Sequence, residues 1–588
     1  MPLKTDQAPH RFQNKTTEFH LYHKLQRIIL CEMNSLSKKF LNKASVALLF
    51  SLLAMPSQAA IKKVTVQEVT IPVIIRKDFN PVIGLNVKVD EDEKSMDLAI
   101  KLDGVDSDEI EEIAIYRSEL DKKSGKPSDN VEPKTDKLGY ARKNKIRGGK
   151  CVIKCNKANL VKGDNHLWVS VTLSEKAPIE EFVELEITGI KTPSTKRFRM
   201  PEAACKQRIG IAITYPSFPV KVQATKSRRV LEERTSKFSR IPGLTVTQKG
   251  TLIATFDNRY HHNGDLPADI DVAVSTSSDG GQTWTDVITC INARDLEGIG
   301  KGVGDPAILL DEANNRIWIA GLAAPKTGHP IWKSELGTAS PKNCGQFILT
   351  YSDDEGKTWS KPINITADVK RLDDSDTKGW GCLFQGPGNG ICMKDGTLVF
   401  PAQIWGAKHM GVLVYSKDNG ETWTSSKEME FGGSESTVAE LSNGTLMLNT
   451  REGAGRSRQV GVTRNLGETW KKHSSVGSDR GNLKQPVCQA SLISIFNDKN
   501  TYNFGSRAKH VMFFSNPNTG GGRSHMTLKF SKNNGGAWSD GLLYDQRGCM
   551  GYSAIYPIDK DYLGVFYEGQ NGYLYFLKAT YKEIFAAK

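Results

Sequence analysis

Five near-copies of one eight-residue pattern constrain this chain more than any other feature. They read SSDGGQTW, SDDEGKTW, SKDNGETW, TRNLGETW and SKNNGGAW, and they begin at residues 277, 352, 416, 463 and 531. A motif that recurs at intervals of 47 to 75 residues marks one supersecondary unit used repeatedly. Each copy suits a hairpin corner. Its Asp or Asn is expected to hydrogen-bond the backbone two residues on, its Gly accepts a positive φ, and its Trp anchors the corner on a neighbouring strand.

Short strand-like segments alternate with Gly, Asn and Asp turns from residue 206 to residue 588. They include residues 250–257, 316–322, 396–403, 444–451 and 562–569. Helical periodicity is scarce in this region, so the expected fold class is all-β. Short strands with a blade-length repeat predict a β-propeller. Five boxes, together with one blade that has lost its copy, predict six blades.

Residues 60–205 are also β-like but lack the boxes. Segments such as VTVQEVTIPVII and VELEITGI alternate apolar and polar residues, as half-buried strands do. They predict a smaller β-sandwich in front of the propeller, with a boundary between residues 195 and 210. A carbohydrate-binding module and a passive packing domain both fit this pattern, and the sequence leaves the two open.

The first 59 residues differ from the rest of the chain. Met33 starts a basic stretch that is followed by the apolar run ASVALLFSLLAM and by small residues up to position 59. This order is typical of a signal peptide (residues 33–59), and the apolar run is too short for a permanent membrane span. Residues 1–32 are interpreted as an over-long upstream segment. The mature chain is therefore expected to be exported, either to the periplasm or out of the cell.

Charge and cysteine content narrow the range of functions. The net charge is +13, of which the first 60 residues account for +5, and the rest of the chain has no dense Lys/Arg run or nucleic-acid module. Nucleic acid is therefore not an expected partner. The ten cysteines lack metal-ligand spacing, and Cys151 and Cys155 are too far apart along a strand for a disulfide. Buried thiols are expected, and no metal site.

The region that contains the boxes begins with FSRIPGL at residues 238–244. The Arg-Ile-Pro triplet and the boxes together resemble the bacterial sialidases (exo-α-neuraminidases), whose catalytic domain carries both. The resemblance covers residues 206–588, about two thirds of the chain. It implies release of terminal α-linked sialic acids from glycans, without a cofactor.

The resemblance assigns an arginine clamp for the sialic acid carboxylate to Arg240, Arg451 and Arg523. Arginine suits this task because its planar fork donates paired hydrogen bonds and stays charged. Arg240 belongs to the triplet and Arg451 ends the segment GTLMLNTR. Arg523 follows a Gly-rich loop, and Arg507 and Arg547 are nearby alternatives.

The resemblance also implies a tyrosine nucleophile, because a neutral phenol avoids repulsion from the substrate carboxylate. The segment GYSAIYPI makes Tyr552 the candidate, whereas Tyr556 is interpreted as an ordinary strand residue. A phenol needs a base close by. Glu435 fits that role better than Glu440, because it precedes Arg451 by 16 residues rather than 11.

The general acid/base corresponds to Asp265, which lies 25 residues after Arg240. Asp269 and Asp271 are close alternatives. This assignment rests on the resemblance.

Three further residues match family positions. Arg259 corresponds to an arginine that reaches the ring substituents of the sugar, Asp305 to an acid directed at its 4-hydroxyl, and Glu568 to a carboxylate that orients the first arginine. His261 and His262 are adjacent on an extended segment, where their side chains point apart, so a loop role is favoured over metal binding.

Three functions remain open at this stage. The favoured one is retaining hydrolysis of sialylated glycans through a tyrosyl-linked intermediate by a monomer. Transfer of sialic acid to another sugar or to its own 7-hydroxyl uses the same residues. A non-catalytic propeller lectin also uses the boxes, but it has no reason to keep the catalytic set.

Overall fold

The computed structural model describes residues 60–118, 136–201, 203–223, 231–453, 457–504 and 508–587. The predicted signal peptide and upstream segment lie outside these ranges. Residues Ala60–Lys588 form one compact unit. Among the described residues, no helix is long and apolar enough to cross a membrane.

Nine strands build the N-terminal part. They are β1 (Ile61–Glu68), β2 (Val73–Ile75), β3 (Pro81–Val89), β4 (Met96–Asp103), β5 (Ile110–Arg117), β6 (Lys137–Arg142), β7 (Lys150–Cys155), β8 (Gly163–Leu173) and β9 (Phe182–Lys191). One sheet has the order β1-β3-β8-β5-β6, and β9, β4 and β7 lie in a second sheet. Apolar residues of both sheets belong to one buried cluster. The predicted strand at residues 183–190 lies within β9, whereas the predicted strand at residues 64–75 is divided between β1 and β2.

Strand β10 (Ala204–Thr214) joins this part of the chain to the rest. Its first half pairs with β9, and its second half pairs with the C-terminal strand β37 (Leu574–Thr580). One sheet therefore runs from the N-terminal strands to the end of the chain. The buried amide of Gln207 reinforces the junction by accepting a 3.0 Å hydrogen bond from the backbone N–H of Ile71. The predicted boundary at residue 205 falls within this shared strand, and the division into two domains stays a prediction.

The remaining strands form small, mainly antiparallel sheets in chain order. The first contains β11 (Phe218–Gln223), β12 (Leu231–Ser236), β13 (Phe238–Val246), β14 (Leu252–Arg259), β15 (Ile270–Ser277) and β16 (Ile288–Ile291). The second contains β17 (Ile299–Asp311), β18 (Arg316–Pro325), β19 (Gln346–Ser352), β20 (Ile363–Asn364) and β22 (Gly388–Asn389). The third contains β21 (Trp380–Gln385), β23 (Ile391–Cys392), β24 (Leu398–Gly406), β25 (His409–Ser416) and β26 (Thr424–Ser425). Parallel pairing joins β11 with β16 and β17 with β22.

The last three sheets complete the series. The fourth sheet contains β27 (Ser436–Glu440), β28 (Leu446–Thr450), β29 (Gln459–Thr463) and β30 (Lys471–Lys472). The fifth contains β31 (Ser491–Phe496), β32 (His510–Pro517), β33 (Met526–Ser531) and β34 (Leu542–Asp545). The sixth contains β35 (Ser553–Pro557), β36 (Tyr562–Glu568) and β37, together with β10. The all-β class is confirmed. The count of six blades stays a prediction, which this grouping of the described strands supports.

Helices are few and short among the described residues. Two α-helices span Thr366–Lys370 and Tyr581–Ala586, and 3-10 turns span Ser107–Glu109, Lys143–Lys145, Ala293–Asp295, Ile331–Lys333 and Ser375–Thr377.

The boxes form hairpin corners, but their hydrogen bonds differ from the prediction. In the first box, Oδ1 of Asp279 accepts the backbone N–H of Thr283, four residues on rather than two. The reason is that the loop makes a wider turn through two successive positive-φ residues, Gly280 and Gly281. Asn465 and Asn533 accept the same backbone bond in their boxes, at 3.1 Å and 2.9 Å. Asparagine therefore replaces aspartate without loss of this contact.

The nine cysteines among the described residues are free thiols. Seven are buried, and Cys392 and Cys549 are partly buried. Cys151 and Cys155 both lie in β7, at positions that face the N-terminal core. The expectation of buried thiols is confirmed.

Candidate active site

Most of the residues predicted for the site line one cavity of about 700 Å³. They are Arg240, Asp265, Asp305, Glu435, Arg451, Arg523 and Tyr552. These side chains come from five different sheets or from the segments that flank them, so the fold brings together positions up to 312 residues apart.

The centre of the cavity holds a three-residue contact at strand ends. Glu435 immediately precedes β27, Arg451 immediately follows β28, and Tyr552 immediately precedes β35. The Tyr552 hydroxyl donates a short hydrogen bond to Oε1 of Glu435. Nη1 of Arg451 donates to Oε2 of Glu435 at 2.6 Å and to the Tyr552 hydroxyl oxygen at 3.0 Å.

Burial sets the protonation state of Tyr552. Its side chain is 4% exposed. Burial, followed by the negative charge of Glu435, raises the pKa of Tyr552 well above its ordinary value, while Arg451 and Arg240 oppose the shift. The residue is therefore a neutral phenol at physiological pH, and its hydrogen-bond acceptor is a carboxylate able to receive its proton.

Glu568 holds two parts of the site in place. Its side chain is 1% exposed and accepts three hydrogen bonds of 3.0 Å each, from Nε of Arg240 and from the backbone N–H groups of Ile241 and Tyr552. Burial alone would lower the pKa of Arg240, but Glu568, Tyr552 and Asp265 raise it above its ordinary value. Glu568 therefore bonds both to the side chain of Arg240 and to the backbone of Tyr552.

Three guanidinium groups surround the Tyr552 ring. Cζ of Arg240 lies 5.2 Å from the ring centroid and Cζ of Arg523 lies 5.4 Å from it, while Arg451 bonds to the hydroxyl. Arg523 is held by the carbonyl oxygens of Met550 and Val487, at 2.8 Å and 2.9 Å. Among the described residues, Nη2 of Arg240 and Nη2 of Arg451 have no hydrogen-bond partner. The three arginines can therefore bind an anionic ligand.

A second cluster of charges lies beside the arginines. The Asp265 side chain is 75% exposed, and its Oδ1 accepts hydrogen bonds from Nη1 of Arg259 at 2.9 Å and from Nη1 of Arg240 at 3.4 Å. Arg259 does not line the cavity. It is 1% exposed and paired with the buried Asp257, with Nη2 and Oδ2 separated by 2.8 Å. It therefore contacts the site through Asp265.

Asp305 belongs to the same cluster through its backbone. Its N–H donates a 2.7 Å hydrogen bond to Oδ1 of Asp257, and its φ of 55° places it in the left-handed region. Burial, followed by the charges of Asp257 and Asp265, raises the pKa of Asp305 well above its ordinary value. A carboxyl group with a raised pKa in a cavity that also holds arginines is typical of a functional site.

The alternatives named from the sequence have other partners. Asp269 pairs with Arg234, and Asp271 accepts a 2.8 Å bond from the Tyr260 hydroxyl. A separate cavity is lined by Glu440 and Tyr556. Arg547 is buried against Asp545. Arg507 lies outside the described residues, and His261 bonds to Asp269.

The sequence missed the rest of the cavity wall. It is mainly apolar and aromatic, and it includes Leu266, Leu322, Ile331, Trp332, Phe384, Trp405 and Phe431. Trp332 is 59% exposed, and the Trp405 ring stacks on His409 with centroids 4.6 Å apart. These residues lie in strands and in the connections between them, where neither a motif nor a spacing distinguishes them.

Comparisons with known proteins agree with this geometry. Residues 61–196 match the N-terminal domain of BNR-repeat neuraminidase, and residues 241–538 match the BNR repeat-like domain. A sialidase of Bacteroides fragilis is 33% identical over 566 residues, which cover 91% of this chain and 99% of that protein. A sialidase of Micromonospora viridifaciens is 31% identical over 343 residues, covering 57% of this chain and 50% of that protein.

A solved structure supports the same relationship. The Hadza microbial sialidase Hz136 superimposes with a TM-score of 0.75 at 30% identity, over 88% of this chain and 99% of that one. The propeller fold predicted from the boxes is shared with these enzymes. The chain therefore belongs to the sialidases, a family of glycoside hydrolases with BNR repeats.

Proposed function

We propose that this protein is an exo-α-sialidase that releases terminal sialic acid from glycans with retention of configuration, through a covalent glycosyl-tyrosine. The observation that carries the proposal is the contact among Tyr552, Glu435 and Arg451 at the centre of the cavity. A neutral phenol bonded to a carboxylate, with guanidinium groups around it, is suited to attack an anomeric carbon that bears a negative charge.

The arginines bind the substrate first. A carboxylate that enters the cavity meets Arg240, Arg451 and Arg523 around the Tyr552 ring. This clamp fixes the anomeric carbon above the phenolic oxygen, which converts the attack into an effectively intramolecular step. As the carbon–oxygen bond of the aglycone breaks, Tyr552 forms a bond to the anomeric carbon and transfers its proton to Glu435.

Asp265 serves the leaving group. When protonated, it donates its proton to the departing glycosidic oxygen. As a carboxylate it then removes a proton from the water that attacks the anomeric carbon, while the bond to Tyr552 breaks and Glu435 returns the proton to the phenolic oxygen. Its high exposure at the cavity edge is compatible with exchange of this proton with solvent. Two displacements give the α-anomer as the first product. We further propose that the sialylated substrates are met outside the cytoplasm by an exported monomer.

The first test is incubation with α2-3- and α2-6-sialyllactose, with the released product identified by mass spectrometry and proton NMR. Free sialic acid that appears as the α-anomer before mutarotation is the expected result. Initial release of the β-anomer would exclude the double displacement. A 2,7-anhydro product or a new sialoside would assign transfer rather than hydrolysis, and binding without turnover would assign a lectin.

The second test uses paired tyrosine variants. Tyr552→Phe removes the nucleophilic oxygen, and a loss of kcat of at least about 10³-fold is expected. Tyr556→Phe is the matched control, because Tyr556 lies in β35, the strand that Tyr552 precedes, and lines a different cavity. Near-wild-type turnover of Tyr552→Phe on an aryl sialoside would show that the nucleophile is another group.

A further inference from the structure

The loop between β34 and β35, residues 546–552, ends at the candidate nucleophile and contacts a clamp arginine. The carbonyl oxygen of Met550 accepts a 2.8 Å hydrogen bond from Nη1 of Arg523, and the backbone N–H of Cys549 donates to the Arg523 carbonyl oxygen at 2.9 Å. Tyr552 is the last residue of this segment, which is called the Tyr552 loop below. The position of the loop therefore affects both the tyrosine and one arm of the clamp.

The first residue of the Tyr552 loop is held by the N-terminal part of the chain. Oε1 of Gln546 accepts a 2.9 Å hydrogen bond from the backbone N–H of Thr70. The backbone N–H of Gln546 donates to the Thr70 carbonyl oxygen, also at 2.9 Å. These two bonds join positions 476 residues apart. Thr70 lies in the connection between β1 and β2, so a segment outside the propeller region contacts the loop that ends at Tyr552.

The connection around Thr70 is itself firmly held. Val69 and Ile71, on either side of it, are 6% and 0% exposed. The Gln207 side chain accepts the Ile71 N–H at 3.0 Å and donates to the Val69 carbonyl oxygen. Strand β2, which follows, pairs in parallel with β10. Buried segments whose backbone groups are paired open rarely, so Thr70 offers Gln546 a rigid support.

We propose that Gln546 is a positioning residue, through which the N-terminal part holds the Tyr552 loop in the geometry that the nucleophile and Arg523 require. The proposal rests on the proposed function, in which Tyr552 attacks the substrate and Arg523 binds its carboxylate. Such geometry is sensitive, because a misplacement of about 1 Å can cost about 10²-fold in rate. The N-terminal part thereby supports catalysis without contacting the substrate.

A second glutamine provides a matched control. Gln282, in the first box, also joins the propeller region to the N-terminal part. Its Oε1 accepts the backbone N–H of Ile179 at 3.1 Å, and its Nε2 donates to the carbonyl oxygen of Ala177 at 2.9 Å. The described residues that line the candidate cavity do not include Gln282. Loss of either glutamine side chain removes a bond between the same two parts, but only Gln546 belongs to the Tyr552 loop.

The experiment measures kcat/KM on an aryl sialoside, and the melting temperature by calorimetry, for variants of the full chain. Gln546→Leu keeps most of the side-chain volume but leaves the Thr70 N–H without its acceptor. Gln546→Ala is a second apolar variant in case the first does not fold. Gln546→Glu keeps an oxygen at the position of Oε1, and Gln282→Leu is the control.

For Gln546→Leu, kcat/KM is expected to fall by about tenfold, because the Thr70 N–H loses its acceptor and the loop loses one of its two bonds to the N-terminal part. Gln546→Glu should keep the wild-type kcat/KM, and Gln282→Leu should lose only stability. The positioning role would be overturned by a kcat/KM within about twofold of wild type in whichever apolar Gln546 variant folds. An equal loss of kcat/KM in Gln282→Leu or in Gln546→Glu would overturn it as well. Absence of sialidase activity in the wild type would instead refute the proposed function.

Discussion

Replacing Glu568 by Gln tests how the site is held together. The carboxylate accepts hydrogen bonds on both oxygens, from Arg240 and Ile241 on Oε1 and from the Tyr552 N–H on Oε2. An amide of the same shape has one oxygen, so its NH₂ group must face an N–H donor in either orientation. The change therefore breaks a hydrogen bond to the nucleophile segment or to the clamp, and it removes the counter-ion of Arg240.

The burial of the Glu568–Arg240 ion pair determines the size of the expected loss of activity. The Glu568 and Arg240 side chains are 1% and 8% exposed, and breaking a buried ion pair by removing one partner costs about 3–5 kcal/mol. If most of that cost falls on the geometry of the site, kcat/KM should fall by about 10²- to 10³-fold, because about 1.4 kcal/mol corresponds to a factor of ten. Thermal unfolding and steady-state kinetics on an aryl sialoside measure the two effects separately.

Asp545→Asn is the matched control for Glu568→Gln. Asp545 is also buried, pairs with Arg547 and accepts a 2.9 Å hydrogen bond from Tyr567 in the same region of the chain, but it does not line the cavity. We expect a comparable loss of stability with kcat/KM preserved in the folded protein. If Glu568→Gln kept kcat/KM within about threefold of wild type, the positioning argument would be refuted.

Three further predictions concern the leaving group, the backbone and the cavity mouth. Asp265→Asn should lower kcat by about 10²- to 10⁴-fold on sialyllactose and by much less on an aryl sialoside, because a good leaving group needs no proton. Equal losses of kcat on the two substrates would contradict the role of Asp265 as the general acid. Gly551→Ala should lower the melting temperature, measured by calorimetry, more than Gly444→Ala does. Both glycines have a positive φ, but only at Gly551 would an added Cβ meet Cys488 Sγ, at 3.0 Å. Equal decreases in the two variants would show that this close contact does not contribute. Trp332→Ala should leave the free energy of unfolding unchanged within about 0.5 kcal/mol and should raise KM for sialyllactose. An unchanged KM would show that this exposed ring does not contact the substrate.

The site was predictable where short motifs carry its residues. Arg240 belongs to the Arg-Ile-Pro triplet, Arg451 ends the strand-like segment GTLMLNTR, and Tyr552 lies in the segment GYSAIYPI. Each of the three therefore had a local sequence signature. The choice between Glu435 and Glu440 rested on spacing. In the structure the two residues stand at opposite ends of β27, and only Glu435 lines the cavity with Arg451.

Other contributors have no local signature. Cys488 looks like any buried thiol until it is found packed on Tyr552. The aromatic wall around Trp405 is assembled from separate strands and connections, and no pairwise spacing in the sequence encodes such a surface.

The sequence by itself determined the repeated hairpin, since Gly, Asp or Asn and Trp act within eight residues through turn geometry and local hydrogen bonds. It therefore determined the all-β class. The tertiary structure alone decided which strand ends meet, because the contact between Glu435 and Tyr552 spans 117 residues and that between Arg240 and Glu568 spans 328. Such contacts depend on the closure of the sheets around a common centre. Closure is a property of packing between repeats, and no single repeat contains the information for it.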